Sequence, residues 1–549
     1  MVRYQLTLDG SARSWDLALA VCTLQGLINR SGPRLYIETG ASRYPSYWLD
    51  VMSRPGYWLA DKPWKQVHRL DDLVALAGPV LKGAILWDPN VPASVNVATT
   101  MAGVHDAVVL HPELHASEPA FRNLPVLHDL RGRFTGAETG SAKNDAYRWV
   151  IREYLQTGRC SSRFIFLYED SWGVRDAGDA KYVVTRDWAV FHRGFVFDLS
   201  PWGDETPADD RKQRLGLDRE TYTMLLEALL RQSRGRHMTE LAGFFHFSKY
   251  SNVPPNQSRH EPVPTEWETV WLISPYNAYQ NTVAHGCYNQ SFHRHAPRRP
   301  LKQRTRPVRH PQLTAKTWMC VLMADYDSTT PLYEFMPDKW DNGVRGQLPL
   351  LWGINPNLMD TYPDIFTHLW STASPNDVFG ADASCAGYTN PNRIRPEYLP
   401  LFTRHCQHYY RATDISLSPM VLDQDEPSPA VKDAFARFSP DGFATIVQDE
   451  HNQGGKHPTP HVWRGMPVTV LRNDACHPDS VEMTAAAFAR GLAEQRPDRP
   501  GFLLYRVVWQ TPEFVQQALA IARRKHPQIE VELINPYSWF ALLKQHLTS

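Results

Sequence analysis

Two acid-bearing stretches carry the most chemistry in this chain. "LMADYDSTT" sets Asp325 and Asp327 two residues apart, and "VLDQDEPSP" sets Asp423, Asp425 and Glu426 in a similar arrangement after another apolar run. If each run is a β-strand that continues through its acids, residues i and i+2 share one side of the sheet and the carboxyls of each pair point the same way. Facing carboxyls on separate strands meet the first requirement of glycoside hydrolysis. One acid protonates the leaving oxygen, and another carboxylate attacks the anomeric carbon or activates water. A third run, "FATIVQDE", ends in Asp449 and Glu450, so the candidate catalytic group is Asp325, Asp327, Asp423, Asp425 and Glu450. The plainer role for such acids is to cap turns or helices, and part of the group is expected to do only that.

Around these acids stand residues suited to recognition. Asn355 and Asn357 close "LLWGINPN", Tyr388 and Asn390 lie in "GADASCAGYTNPNRI", Trp509 ends "GFLLYRVVWQ", and Glu266 and Glu268 flank a Trp in "PTEWETVW". The chain holds 18 Trp and 23 Tyr, an unusual number that suggests flat aromatic surfaces. Aromatic faces cover the apolar side of a sugar while amides and carboxylates bind its hydroxyls, although most of these rings serve as core. Histidines keep a metal-dependent deacetylase or amidohydrolase open as an alternative: His405 and His408 stand at i and i+3, and His451, His457 and His461 share a loop. No HExxH or other metal spacing accompanies them, and the reading assigns no metal ligands and no cofactor. A non-catalytic glycan-binding protein would use Trp352, Tyr388, Trp509 and the asparagines equally well. No GxSxG elbow is present, and Cys385 has no adjacent basic residue to hold it as a thiolate.

The elements that must position these residues follow from hydrophobic patterning. After residue 315 come eight strand-like runs: "WMCVLMADYD", "LPLLWGINPN", "DVFGADASCAGYTNP", "ISLSPMVLDQDE", "FATIVQDE", "PVTVLRNDACH", "GFLLYRVVWQ" and "VELINPY", most followed by helix-compatible sequence. Such a series predicts a (β/α)-barrel-like domain over 316–549, with the polar residues gathered at the strand ends that form a barrel's catalytic face. Earlier, "SWDLALAVCTLQGLINRSG" reads as a helix, and "PRLYIET", "GAILWDP", "DAVVLHP", "LPVLHDL" and "RFIFLYED" read as strands. This predicts an N-terminal α/β, Rossmann-like region over 1–290, divisible near residue 160. No GxGxxG follows any of its strands, so a dinucleotide site is not supported. Between the two, "SFHRHAPRRPLKQRTRPVRHPQL" is basic, proline-rich and free of acids, and predicts an extended solvated linker over 291–315.

Bulk properties set limits on partners. Lys and Arg number 58 and Asp and Glu 58, a balance that calls for neither nucleic acid nor an anionic membrane. The seven cysteines are scattered without CxxC spacing and read as reduced thiols. The chain start lacks an apolar leader pattern, which fits a cytoplasmic protein, or a secreted or periplasmic one from which a leader has been removed.

"SCAGYTNP", Ser384 to Pro391, resembles the motif that names the GxGYxYP proteins, bacterial proteins described as glycoside hydrolases. Aligned on Gly387, Tyr388 and Pro391, it carries Ala386 for the first glycine and Asn390 for the second tyrosine. "TLQGLINRSGPRLYI", "RGFVFDLSPWGDETPADDRKQRLGLD", "PTEWETVWLISPYNAYQNT" and "ADYDSTTPLYEFMPDKWDNGVRGQLPLLWGINPNL" are similar to the family in the same order along the chain. The resemblance implies an N-terminal α/β region, a C-terminal barrel-like domain, and hydrolysis of an oligosaccharide or polysaccharide, with Tyr388 lining the site. It also leads to the expectation that Asp198, Glu266 or Glu268 lies near Asp325.

Overall fold

The computed structural model describes residues 1–254, 257–304, 312–447 and 457–549. The chain divides into two compact units, Met1–Pro297 with Asp360–Asp364, and Arg298–Met359 with Ile365–Ser549.

The first unit contains three parallel sheets. Strands β1 (Val2–Leu6), β2 (Leu35–Thr39) and β3 (Lys65–Val67) pair in the order β2-β1-β3; β4 (Gly83–Leu86), β5 (Ala107–Leu110) and β6 (Val126–Asp129) pair in the order β5-β4-β6. The third sheet, β7 (Phe164–Leu167), β8 (Phe195–Phe197), β9 (Thr239–Gly243) and β10 (Ala278–Asn281), runs β10-β9-β7-β8. All five runs read as strands from the N-terminal sequence are strands, and the expected helix spans Ala12–Asn29, capped by the Ser11 side chain. That helix is buried on nearly every side, which accounts for its apolar residues lying all round it rather than on one stripe. Segment Asp360–Asp364 returns to this unit from far along the chain: buried His293 bonds the Asp364 carboxylate at 2.7 Å, and Trp58 donates to the same oxygen at 3.1 Å.

In the second unit every one of the eight predicted runs contains a strand: β11 (Thr317–Tyr326), β12 (Leu350–Ile354), β13 (Asp377–Gly380), β14 (Leu417–Asp423), β15 (Gly442–Val447), then β16 (His461–Trp463), β17 (Met466–Val470), β18 (Gly501–Val508) and β19 (Val531–Leu533). Only β16, paired antiparallel with β17 across a turn at Gly465, lies outside the predicted set. One sheet runs β13-β12-β11-β18 with β19 also on β11; the other runs β14-β15-β17-β16. Hydrogen bonds cross between the two sheets at two places. Ala381 N–H donates to Leu417 O at 2.9 Å, and Arg472 N–H donates to Leu504 O at 2.8 Å while Arg506 N–H donates to Arg472 O at 3.0 Å. Most strand residues are buried on both faces, the pattern of parallel strands covered by helices.

The basic stretch is less solvated than its composition suggests. Ser291 to His293 belong to a helical turn, Gln290–His293, and are fully buried. Gln303, 5% exposed, bonds the backbone of Phe379 and Asp414 and the Tyr537 hydroxyl. Residues 305–311 lie outside the described residues.

A carboxyl cluster at the strand ends

Asp325 does not sit on a regular strand, contrary to the alternation read from the sequence. The register of β11 against β12 shifts between Met323 and Tyr326, Asp325 takes the left-handed φ of 67°, and the strand stops at Tyr326 before Asp327 is reached. The pair is therefore brought together by a bulge and a turn rather than by i, i+2 alternation. The bulge aims the Asp325 carboxylate at β18, where Arg506 Nη2 contacts both of its oxygens at 2.7 Å. Arg506 Nη1 also donates to Asn473 Oδ1 at 3.1 Å, and Trp509 Nε1 donates to the Asp325 carbonyl at 2.8 Å.

A third carboxyl arrives from β13. Asp382 Oδ2 accepts the Asp325 N–H at 2.7 Å, which requires the side chain to reach across the intervening strand β12. It passes over Gly353, where any Cβ would lie 2.2 Å from Asp382 Oδ2, so glycine at this point is what lets β13 and β11 touch.

Burial sets the protonation of this cluster. Asp382 is fully buried, and burial, followed by the charges of Asp327 and Asp325, holds its carboxyl well above the usual range. Asp327 is 9% exposed; burial, with the Asp325 charge adding to it, pushes it up to about 7, against a hydrogen bond from Ser328 Oγ at 3.1 Å. Asp325 is the anion of the Arg506 ion pair, with 17% of its side chain exposed. The cluster thus holds a carboxylate and a protonated acid side by side, the division of labour that acid–base hydrolysis needs. Near the same strand ends, Asn355 and Asn357 are buried, and neither Oδ1 has a hydrogen-bond partner among the described residues; Asn355 Nδ2 donates to Ala383 O at 3.4 Å.

The other expected residues are placed differently. Asp423 is also pushed up to about 7 by burial, but its oxygens accept the N–H groups of Asn392 and Gln424, both at 2.8 Å. Through these two bonds it ties the loop at Asn392 to the end of β14. Asp425 is exposed and caps its own turn through Glu426 N–H at 2.7 Å. Glu450 and His451 lie outside the described residues. The motif loop is stapled to β14: the single Ser384 hydroxyl proton is shared between Thr389 O at 3.0 Å and Leu422 O at 3.2 Å, its oxygen accepts Leu422 N–H, and Asn390 Nδ2 donates to Leu422 O at 3.4 Å. Tyr388 is 4% exposed within that loop. Trp352 is core, its Nε1 on Asp377 Oδ1 at 3.1 Å, and so presents no face to a ligand. Trp509 is half-buried, edge-on to Phe335. His405 Nε2 is taken by Ala386 O at 2.8 Å. In the first unit, Glu268 pairs with Arg219 at 3.1 Å, Glu266 is half-buried on the same helix, and Asp198 is committed to the Lys249 ammonium. Among the described residues no group of three or more His, Cys, Asp or Glu is arranged to hold a metal ion, and no helix is long and apolar enough to cross a membrane.

Asp382 and Arg506 were not among the residues singled out. Arg506 did carry a signal, a lone charge inside the apolar run "LLYRVVW", which a buried strand tolerates only when a partner waits for it.

Comparison with known proteins follows the same division of the chain. Among curated proteins nothing matches this sequence. A solved structure from Bacteroides thetaiotaomicron, described as a putative hydrolase, superposes with a TM-score of 0.72 at 16% identity, over 100% of this chain and 95% of that one. Residues 315–544 match the GxGYxYP putative glycoside hydrolase C-terminal domain, and residues 81–157 match the second domain of the GxGYxYP N-terminal region. With both of these domains in place, the chain belongs to the GxGYxYP family.

Proposed function

We propose that the chain is a glycoside hydrolase whose second unit cleaves a glycosidic bond at the Asp325–Asp327–Asp382 cluster. The observation that carries this reading is the pairing of an ionised Asp325, held by Arg506, with an Asp327 that keeps its proton up to about pH 7. Asp327 donates that proton to the glycosidic oxygen as the bond to the anomeric carbon breaks. The Asp325 carboxylate stabilises the positive charge that develops on the ring; the oxygen of a water then bonds to the anomeric carbon, and the proton that water releases restores the Asp327 acid. Asp382 stays behind both, fixing the Asp325 backbone through its N–H. The free Oδ1 atoms of Asn355 and Asn357 accept substrate hydroxyls, and Trp509 offers its ring beside Asp325.

We further infer that the two sheets of this unit close into one barrel-like wall, a reading supported by the backbone hydrogen bonds at Ala381 and Arg472 between them. The family description and the hydrolase label of the similar structure support the reaction class. A screen of the full chain against plant, host and bacterial oligosaccharides tests the proposal. Release of reducing sugar by the wild type, abolished in both Asp325→Asn and Asp327→Asn with melting temperature retained, is the expected result. Hydrolysis that survives both changes would overturn the assignment. The proton held by Asp327 also sets a pH dependence: kcat falls as pH rises through about 7, because the acid is lost.

A further inference from the structure

The first unit holds a second place suited to a ligand. Its sheet β10-β9-β7-β8 has a topological switch at β7, since the chain moves to β8 on one side of β7 and then to β9 and β10 on the other. Open α/β sheets bind small molecules beyond the carboxyl ends of the strands at such a point. Here those ends carry buried charge: Asp170 follows β7, Asp198 follows β8, and Lys249 follows β9. Lys249 Nζ bonds Asp170 at 3.1 Å, Asp209 at 3.4 Å and also Asp198; Lys143 Nζ bonds Asp209 at 2.9 Å and Asp218 at 2.7 Å. A cavity of about 150 Å³ opens against this network, walled by Ala93, Ala142, Lys143, Asp170, Asp209 and Asp210. The Asp209 side chain is 4% exposed, and its Oδ1 has no hydrogen-bond partner among the described residues.

We propose that this cavity is a binding site for a neutral polyhydroxy molecule the size of one pyranose ring. Its volume is that of about five waters at roughly 30 Å³ each, which limits the ligand to a single small ring. Charge limits it further. An anion would lie beside Asp170, Asp209 and Asp210, and a cation would compete with two ammonium groups already seated in the network. A hydroxyl both donates and accepts, so it satisfies the open oxygen of Asp209 and the other polar walls without adding charge. None of the residues assigned to hydrolysis takes part, so this site stands or falls apart from that reading.

The test is binding of D-glucose, D-galactose and D-mannose to the full chain by saturation-transfer NMR and calorimetry, with D-glucuronate and D-glucosamine as charged probes. At least one neutral pyranose is expected to bind. Filling the cavity with Ala93→Leu, or with Ala142→Leu should the first variant fail to fold, weakens it at least about tenfold. Asp327→Asn leaves the affinity unchanged. The proposal is overturned if no neutral pyranose binds the wild type, if a charged probe binds tighter than the neutral ones, if a folded cavity-filling variant binds as well as the wild type, or if Asp327→Asn abolishes binding.

Discussion

Two buried networks, one in each unit, hold charge in different proportions. In the first, Lys143 and Lys249 are shared among Asp170, Asp198, Asp209 and Asp218 by direct ion pairs, and Asp209, despite burial, is drawn below the usual carboxylate range by the two lysines. In the second, Arg506 pairs with Asp325, and among the described residues Asp327 and Asp382 make no ion pair of their own. The same residue types therefore give two outcomes. Asp209, which meets two ammonium groups, is held as an anion, whereas Asp198, which shares Lys249 with two other acids, is pushed up to about 7 by burial. A surplus acid in a buried site keeps a transferable proton near neutral pH, which is what a hydrolase requires.

Removing a cation from each network tests this contrast most severely. Lys249→Met leaves the buried Asp170 and Asp198 without their cation and Asp209 with Lys143 alone, and is expected to cost about 3–5 kcal/mol by chemical denaturation. Arg506→Met strands one carboxylate that still has partial solvent access, so its cost falls toward the lower end of that range while activity is lost. Equal losses of stability would remove the distinction between the units.

How far the sequence carried this account differs between the same two regions. In the second unit β11 and β18 were legible because they are apolar runs of ten and eight residues, buried along almost their whole length. In the first unit β3 and β8 have three residues each, too few for any period to register. The site was half legible. Asp325 and Asp327 stood out by spacing, but Asp382 joins them only because β13, β12 and β11 are adjacent and Gly353 clears its path, and Arg506 only because β18 pairs with β11. Sequence spacing carries no information on either adjacency. Asp423 looked equivalent to Asp325, and differs because its oxygens are taken by Asn392 and Gln424.

Smaller effects sharpen the comparison within the second unit. Ser384→Ala removes the buried hydroxyl that joins the motif loop to β14 and is expected to cost about 1–3 kcal/mol, with any loss of activity following from the displaced loop. Asp423→Asn probes pH linkage. The folded carboxyl is pushed up to about 7 by burial and the unfolded one keeps the ordinary aspartate value of 3.8, so the stability it contributes is present below about 4 and is lost as pH rises toward 7. The variant lacks this loss, and its stability relative to the wild type should improve between pH 5 and pH 7; a constant difference would show that Asp423 is not held protonated.

The central claim is that Asp327 delivers the proton, and leaving-group dependence tests it most directly. With the sugar identified by the screen, kcat for Asp327→Asn is compared with the wild type on the natural disaccharide and on the matching dinitrophenyl glycoside, whose leaving group departs without protonation. The account predicts a loss of about 10²–10⁴-fold on the disaccharide and little loss on the dinitrophenyl glycoside. Equal losses on both substrates, or none on either, would contradict it.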